Sequence, residues 1–477
     1  MSPPRRRPRR FDRNLIVIGA GSAGLVASLV AARLGARVTL IEAERMGGDC
    51  LNTGCVPSKA LLHVARLAAA GREAAALGLL PPPGPPDSAA AFRHLRTAIA
   101  AVAPHDSEER FRGLGVDVRR GHARITSPWS VAIGGETLTT RGLVIAAGAA
   151  PVVPDLPGLD RTPFFTSETI WQLDRAPGRL LVLGGGPVGC ELAQGFARLG
   201  SSVTLVQRGP HLLPREDEAV SDLVRARLEA EGVTVLTNHT AVAAGPGALR
   251  FADRTIPFDA LLLALGRRAR TAGYGLEETG VVLNADGTIR TDARLRSSVP
   301  SLYACGDVAG PYQFTHAAGF QGAYAALGAL FGLPFLRPGR TPMPAVTYTD
   351  PEVARIGLTE RAERAAGTRY ELTECRLADL DRAIVENARE GVVRVLTAPG
   401  SDRILGAAIV APRAGEMLGE FILAMTHGMG LKRLFGPIRP YPTWLEANRE
   451  AASAWRTAHA PGWLPEALGR FLRWRLR

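Results

Sequence analysis

The fold is decided by the stretch Leu15–Gly24, LIVIGAGSAG. Its apolar first half predicts a short buried strand, and its glycine-rich second half predicts a tight turn that opens a helix ending near Gly35. A second apolar run, Val38–Ile41, predicts the next strand, and Glu42 follows it directly. A strand, a G-x-G-x-x-G turn, a helix and an acid at this distance form the dinucleotide-binding fingerprint. The sequence therefore predicts a βαβ nucleotide fold at the start of the chain.

The residues of this turn predict how a nucleotide is held. Glycine lets the backbone approach a pyrophosphate, which the free N–H groups of a helix N-terminus favour. Glu42 is expected to accept hydrogen bonds from a ribose. The predicted binding residues of the turn are Gly19, Gly21, Ser22, Ala23 and Gly24.

A second fingerprint lies in the middle of the chain. Leu180–Leu183 predicts a strand, GGGPVG at Gly184–Gly189 predicts the turn, and Val203–Val206 predicts the strand after the helix. A glycine triplet alone is often only a turn, but a copy with its own strands and helix indicates a second nucleotide fold. The predicted binding residues here are Gly184, Gly186 and Gly189.

The second fold differs from the first at the end of its second strand. Gln207-Arg208 stands there in place of the acid that would bind an unmodified ribose. Arg208, together with Arg215, can pair with a 2′-phosphate, so NADPH is predicted in preference to NADH. The alternative is that Arg208 is a solvated loop residue, which leaves NADH open.

Two cysteines stand close together in Gly47–Lys59, GGDCLNTGCVPSK. Cys50 and Cys55 flank four residues at the junction of a loop and an alanine-rich helix. Such a pair can close a small disulfide ring or offer two thiols to a common partner, so the stretch alone leaves redox chemistry and metal binding open.

Composition limits the classes of function. A chain of 477 residues predicts about three domains, and five cysteines do not make a secreted disulfide framework for this size. The net charge of +12 comes from scattered arginines that are not interleaved with aromatic residues, so no specific nucleic-acid binding is predicted. The apolar run 15–34 could suggest a secretory signal, but cleavage would destroy the first fingerprint, so a cytoplasmic location is predicted.

Gly19–Gly24, Glu42 and the Cys50/Cys55 loop, in this order, resemble the pyridine nucleotide–disulfide oxidoreductases. These flavoenzymes include glutathione reductase, lipoamide dehydrogenase and mercuric reductase. The resemblance implies an α/β fold with two Rossmann-like domains, one for FAD and one for NAD(P)H, and a C-terminal α+β dimerisation domain. It also implies that the two cysteines face the isoalloxazine and that no metal is resident.

The same resemblance assigns roles to residues elsewhere in the chain. Lys59 is expected to pair with Glu191 beside the flavin and the nicotinamide. Asp307, after the strand at 301–304, is expected to bond the ribityl chain. Cys55 is implied to be the flavin-facing charge-transfer thiolate, and Cys50 is implied to meet the substrate. Further cofactor positions implied by the family pattern are Gly48, Gly148, Gly266, Gly306, His316 and Ala317.

The C-terminal third resembles the family's interface domain, which implies a homodimer. Tyr441 stands where glutathione and lipoamide enzymes carry a histidine that is held by a glutamate matching Glu446. Mercuric reductases also carry tyrosine there, because a metal substrate requires no proton donor. They also end in two adjacent cysteines, whereas the last cysteine here is Cys375. Tyr441 and Glu446 are expected to shape the partner's substrate pocket.

The C-terminal stretch 463–477 predicts an amphipathic helix with arginines on one side. It suits an anionic membrane surface, with packing on the dimer as the alternative. The predicted divisions are a disordered tail 1–13, an FAD domain 14–151, an NAD(P)H domain 152–271, a second FAD segment 272–340, a dimerisation domain 341–456 and a basic tail 457–477.

The leading hypothesis is an FAD-dependent, NADPH-preferring oxidoreductase of the mercuric-reductase-like branch. Electrons would pass from the nicotinamide through flavin to the Cys50–Cys55 disulfide, and then to a disulfide or Hg(II)-like substrate. One alternative is a lipoamide or glutathione-type reductase that lacks the usual histidine. Another is a flavoprotein at the inner membrane face that reduces a quinone or a protein partner.

Overall fold

The computed structural model describes residues 7–476, apart from the side chain of Arg340. The strands, in chain order, are β1 Arg13–Ile18, β2 Val38–Glu42, β3 Asp117–Arg120, β4 Arg124–Ser127, β5 Ser130–Ile133, β6 Glu136–Ile145, β7 Ala149–Pro151, β8 Phe165–Thr166, β9 Arg179–Leu183, β10 Ser202–Val206, β11 Thr234–Leu236, β12 Ala243–Gly245, β13 Ala248–Arg250, β14 Thr255–Pro257, β15 Ala260–Leu263, β16 Arg267–Ala269, β17 Leu302–Ala304, β18 Ala345–Thr347, β19 Glu352–Gly357, β20 Glu371–Arg376, β21 Val392–Thr397 and β22 Ile404–Ala411.

The helices, in chain order, are α1 Ser22–Arg33, α2 Gly48–Asn52, α3 Cys55–Ala76, α4 Ser88–Val102, α5 Glu108–Gly113, α6 Pro187–Arg198, α7 Glu218–Ala230, α8 Thr315–Phe331, α9 Glu360–Ala366, α10 Asp381–Val385, α11 Ala414–Met417, α12 Gly419–Thr426, α13 Leu431–Phe435, α14 Glu446–Ala458 and α15 Leu464–Arg475. Within the described part of the chain, no helix combines the length and the apolar character that crossing a bilayer requires.

The described residues form two compact units. One contains residues up to 210 together with 228–341, and the other contains 211–227 together with the chain from 342 onward. Both nucleotide folds lie in the first unit. Residues 211–227, which the sequence placed in the NAD(P)H domain, group instead with the C-terminal unit. The other predicted domain boundaries stay predictions.

The first nucleotide sheet has the order β3-β2-β1-β6-β5-β4, and β17 also pairs with β6. Its strands β1, β2, β3, β6 and β17 run parallel. Strand β2 is buried along its whole length, as is typical of strands in a parallel sheet that is covered on both faces. Helix α1 packs against α8, where Gly322 lets the two backbones meet at Ala23.

The second nucleotide sheet is wholly parallel, with the order β11-β10-β9-β15-β8. Two short strands, β7 and β16, pair antiparallel, with Arg267 opposite Pro151. The ends of residues 146–151 and 261–267, the segments that contain β7 and lead into β16, therefore lie side by side.

The second unit is built on the antiparallel sheet β18-β19-β22-β21-β20. Its core includes Phe421, Trp444 and Trp455, packed between this sheet and α11–α14. The α/β class, with two Rossmann-like folds and a C-terminal α+β part, is confirmed.

The N-terminal tail departs from its prediction at one end. Residues 1–6 of the predicted disordered tail lie outside the described residues. Asp12 accepts hydrogen bonds from the backbone and side chain of Thr139, and Arg13 pairs with Asp117 at 2.9 Å. Asp12 and Arg13 thus belong to the fold, because these polar contacts tie them to neighbouring strands.

Candidate active site

The first glycine turn forms a tight backbone cradle. Gly19 has a φ of +100°, and a Cβ there would run into the carbonyl of Ala146. A Cβ at Gly24 would likewise strike the carbonyl of Gly19, so only glycine lets α1 sit this close to β1. Gly48 approaches Gly21 from the other side, with 2.6 Å between a Cβ built on Gly48 and the Cα of Gly21. Ser22 and Ala23 form the first turn of α1.

Glu42 is buried at the end of β2 and faces this turn. Its Oε2 accepts the N–H of Ala20 at 2.6 Å, and its Oε1 accepts the N–H of Glu44 at 2.7 Å. Each carboxylate oxygen keeps a second lone pair, which a ribose hydroxyl can use. The glycine cradle, the helix N-terminus and this fixed acid fit the dinucleotide end of FAD.

The second glycine turn repeats this geometry with one change of chemistry. Gly184 has a φ of +109°, and a Cβ there would strike the carbonyl of Ala264. A Cβ at Gly189 would strike the carbonyl of Gly184, whereas Gly186 faces open space. Gln207 Oε1 accepts the N–H of Gly185 at 3.1 Å, the contact that Glu42 makes in the first fold. A neutral amide thus replaces the acid, and the exposed Arg208 follows it.

Cys50 and Cys55 lie on two successive helices. Cys50 is within α2, and Cys55 is the first residue of α3. Both are free thiols, and Cys55 Sγ lies 3.2 Å from Thr315 Oγ1 at the start of α8. The structure therefore places both cysteines beside the N-terminus of α8.

The two thiols have opposed acidities. A hydrogen bond from Cys50 lowers the pKa of Cys55 to about 6, with further help from Thr315 and Lys59, against burial and the charge of Glu191. The same hydrogen bond and burial raise the pKa of Cys50. These opposed directions favour Cys55 as the thiolate, which is the role that the family resemblance implies for it. The roles of the two cysteines stay predictions.

Lys59 lies one turn beyond Cys55 on α3. Its Nζ is 2.8 Å from Oε2 of Glu191 on α6, and Glu191 is buried. Gly195 allows α6 to approach α3, because a Cβ there would lie 2.9 Å from Leu61. The structure brings together the two residues that the sequence analysis paired.

Asp307 follows β17 in a short 3-10 helix, Gly306–Val308. Burial, with smaller contributions from the charges of Asp49 and Cys55, raises the pKa of Asp307 to about 6 against the lowering effect of Arg267. The Gly306 N–H donates to Gln321 Oε1 on α8 at 2.9 Å, which fixes this turn beside the helix.

The remaining predicted cofactor positions surround the same region. Ala317 is buried on α8, whereas the ring of His316 stacks on Phe314 with centroids 5.3 Å apart. Gly148 and Gly266 both have positive φ and stand immediately before β7 and β16. Their roles toward a cofactor stay predictions.

Tyr441 and Glu446 lie in the second unit, and each has a partner that the sequence analysis missed. The Tyr441 hydroxyl donates to Asp381 Oδ2 at 2.7 Å, and this contact raises the pKa of Tyr441. Glu446 Oε2 accepts the N–H of Thr443 at 3.1 Å. In the related glutathione and lipoamide enzymes, the resemblance implies that a glutamate holds a histidine at the position of Tyr441. Here Asp381 is the carboxylate that binds Tyr441.

Sequence reasoning also missed several residues around the dithiol. They are Asp49, Thr315, Trp171 and Arg267. Thr315 adjoins the predicted position His316 and could have been found by proximity. The contacts of Asp49, Trp171 and Arg267 join distant parts of the chain, and no local pattern announces them.

Comparison with known proteins shows the family to which this chain belongs. The family model described as pyridine nucleotide-disulphide oxidoreductase matches residues 13–322, and the dimerisation domain of that family matches 343–452. The chain belongs to the pyridine nucleotide–disulfide oxidoreductase family. It is an FAD-dependent oxidoreductase of this class, whose members bind FAD and NAD(P)H, and the dimerisation domain supports a homodimer.

Individual relatives are named for two different activities. The chain is 36% identical over 466 residues to a dihydrolipoyl dehydrogenase from Thermus scotoductus, covering 92% of this chain and 97% of that protein. It is 35% identical over 457 residues to a mercuric reductase from Acidithiobacillus ferrooxidans, covering 92% and 82%. Among solved structures, the HOCl-induced flavoprotein disulfide reductase RclA from Escherichia coli matches with a TM-score of 0.82 at 28% identity, covering 92% and 99%.

Proposed function

We propose that the protein uses NADPH to reduce the Cys50–Cys55 disulfide, and that the resulting dithiol reduces a soft metal ion or a disulfide. The arrangement of the two thiols carries this proposal, since Cys50 donates a hydrogen bond to Cys55 and the pKa of Cys55 falls to about 6. FAD, when bound, supplies the relay of electrons between the nicotinamide and the disulfide. The residues that would hold FAD are Gly19, Gly21, Gly24, Glu42 and Asp307.

The chain's own residues divide the work at the dithiol. Cys55 stays ionised at neutral pH because Cys50, Thr315 and Lys59 stabilise its negative charge. Cys50 keeps its proton and is the thiol that meets the substrate. Oxidation of this dithiol back to the disulfide delivers two electrons to the substrate and releases the remaining thiol proton.

Tyr441 supports a substrate that needs no proton. Exchange between a dithiol and a disulfide substrate leaves a thiolate that an acid must protonate. The Tyr441 hydroxyl donates instead to Asp381, and that contact makes the phenol a weaker acid. We therefore rank a soft, thiol-binding metal ion such as Hg(II) above lipoamide or glutathione disulfide. The two relatives described above do not separate these substrates.

Gln207 and Arg208 support the choice of NADPH. A carboxylate in the place of Gln207 would repel a 2′-phosphate, whereas the amide does not, and Arg208 supplies a positive charge next to it. NADH remains the second cofactor to test.

A screen of oxidants tests the proposed substrate class. The holoenzyme is reduced anaerobically with NADPH and mixed with Hg(II), glutathione disulfide, lipoamide or a quinone, and reoxidation is followed by stopped flow. We expect Hg(II) to reoxidise the reduced protein fastest. Faster reoxidation by lipoamide or glutathione disulfide would favour the reductase alternative, and faster reoxidation by a quinone would favour a role at a membrane.

One observation favours that membrane role as a second candidate function. Helix α15 contains no buried residue, and Trp463 and Trp474 near its ends are 67% and 68% exposed. Leu468, Phe471 and Leu472 are also exposed on this helix. An apolar face flanked by arginines suits the surface of an anionic bilayer. Sedimentation with phosphatidylserine vesicles tests this: loss of binding on deleting 461–477 would support it, and unchanged binding would remove it.

A further inference from the structure

The redox loop, residues 49–55, is held at both ends by side chains from outside it. Asp49, just before Cys50, forms an ion pair with the guanidinium of Arg267. The carbonyl of Thr53, shortly before Cys55, accepts the indole N–H of Trp171 at 2.7 Å. The two contacts therefore enclose the ring that Cys50 and Cys55 would close.

Both anchors follow neighbouring strands of the second nucleotide sheet, β8 and β15. Trp171 lies in a short 3-10 helix, Ile170–Gln172, that follows β8, and Arg267 begins β16 shortly after β15. Strands β8 and β15 are neighbours, with Leu262 paired to Phe165. The indole is fixed further by its second acceptor, the carbonyl of Ser167 at 2.8 Å.

Arg267 is held by more than its pair with Asp49. The same Nη2 donates to the carbonyl of Ala149 at 2.6 Å and lies 3.4 Å from Glu168. Its Nε lies 3.7 Å from Asp307. A guanidinium bound by four groups and mostly removed from solvent has a fixed orientation, unlike an exposed ion pair with one partner.

We propose that Trp171 and Arg267 are positioning residues for the dithiol. They hold the two ends of the redox loop against the segments that follow β8 and β15, so that the thiol of Cys50 stays within hydrogen-bonding distance of Cys55. Neither residue touches a sulfur. Trp171 acts through the backbone carbonyl of Thr53, two positions before Cys55. Arg267 acts through the side chain of Asp49, which is next to Cys50.

The contact that this arrangement maintains has a measurable consequence. The hydrogen bond from Cys50 is the largest stabilising contribution to the Cys55 thiolate. A movement of the redox loop that separates Cys50 from Cys55 therefore weakens this hydrogen bond and raises the pKa of Cys55. Other polar or charged groups that act on the two sulfurs come from five elements: Ser22 on α1, Lys59 on α3, Glu191 on α6, Asp307 before α8 and Thr315 on α8.

The test is the pH profile of alkylation of the reduced holoenzyme by iodoacetamide, read by mass spectrometry at Cys50 and Cys55. Trp171→Phe keeps an aromatic ring and removes the indole N–H. Arg267→Lys keeps the positive charge and removes the planar guanidinium. We expect each to move the midpoint of the profile upward by about 0.5–1 pH unit, the equivalent of one hydrogen bond. Trp455→Phe is the control, because it removes an indole hydrogen bond to Thr397 in the other unit.

A Trp171→Phe midpoint that coincides with that of the wild type overturns the proposal. If Trp171→Phe does not fold, the midpoint of Arg267→Lys decides in the same way. An equal shift in Trp455→Phe also overturns it, because the effect would then be general loosening. The inference rests on the proposed function only in taking Cys50–Cys55 as the redox pair. Alkylation needs no substrate, so a wrong substrate leaves this result unchanged.

Discussion

Lys59 and Glu191 lie 132 residues apart in the chain and meet with 2.8 Å between Nζ and Oε2. The pair acts on the neighbouring Cys55 with opposite signs, since Lys59 lowers the pKa of that thiol and Glu191 raises it. The ion pair therefore limits how far the lysine can stabilise the thiolate.

Substitutions in this pair should move the acidity of Cys55 in opposite directions. We expect Lys59→Met to raise the pKa of Cys55 and Glu191→Gln to lower it, each by about one unit, because a neighbouring charge typically has an effect of this size. The measurement is the pH dependence of iodoacetamide alkylation after reduction. Shifts of the same sign in both variants would contradict an electrostatic origin.

The hydroxyl of Thr315 should contribute separately to the thiolate. We expect Thr315→Val to raise the pKa of Cys55 by about 0.5–1 unit, because it removes a hydrogen bond that stabilises the charged form. Thr315→Ser keeps a hydroxyl and is the matched control, with a predicted profile close to that of the wild type. A shift in Thr315→Ser as large as that in Thr315→Val would show that packing is responsible.

The sequence predicted the nucleotide folds well because their signals are local. The apolar runs, the glycines and the acid of the first βαβ unit stand in one short stretch. Glycine is required at positions 19 and 24 because another part of the backbone lies too close there for a Cβ. The pairing of Lys59 with Glu191 came from the family pattern. Nothing in either local sequence indicates that α3 and α6 touch.

Contacts between distant side chains could not be predicted in the same way. Trp171 reaches Thr53, and Tyr441 reaches Asp381 across 60 residues, through side chains whose direction no periodic pattern specifies. The assignment of 211–227 to the second unit has a similar cause. Asp217 there binds the buried guanidinium of Arg394, an interaction visible only after folding.

Cofactor preference should depend on Gln207 and Arg208. We expect Arg208→Ala to reduce kcat/KM for NADPH by about 10-fold or more with little effect for NADH, the cost of one charge-assisted hydrogen bond. Gln207→Glu should also lower the ratio of kcat/KM for NADPH to kcat/KM for NADH, because the added carboxylate would repel a 2′-phosphate. Arg254→Ala, which removes an exposed arginine paired with Asp253, controls for net charge. Equal losses with NADPH and NADH would contradict a 2′-phosphate contact.

Retention of FAD should depend on Asp307. We expect Asp307→Asn to weaken FAD binding by about 10-fold, because a hydrogen bond to a carboxylate is stronger than one to an amide. Fluorescence of FAD released on dilution measures this. Asp286→Asn, at an exposed turn where the carboxylate accepts bonds from Thr288, is the control. FAD affinity equal to that of the wild type would remove Asp307 from the cofactor site.

A histidine at position 441 should change the substrate range. We expect Tyr441→His to raise turnover of lipoamide or glutathione disulfide by about 100-fold, the lower end of the range for general acid catalysis. Turnover with Hg(II) should not rise in parallel. Tyr441→Phe, which only removes the bond to Asp381, should give no gain with disulfides. A gain in Tyr441→Phe equal to that in Tyr441→His would show that proton donation is not the missing step.

The redox state of Cys50 and Cys55 before and after reduction shows whether this pair is the redox centre. The holoenzyme is alkylated under anaerobic conditions before and after reduction with NADPH, and each cysteine is read by mass spectrometry, with buried Cys190 and Cys305 as internal controls. The proposed function predicts that Cys50 and Cys55 become alkylated only after NADPH is added. Alkylation of both before reduction, or of neither after it, would contradict the assignment of this pair as the redox centre.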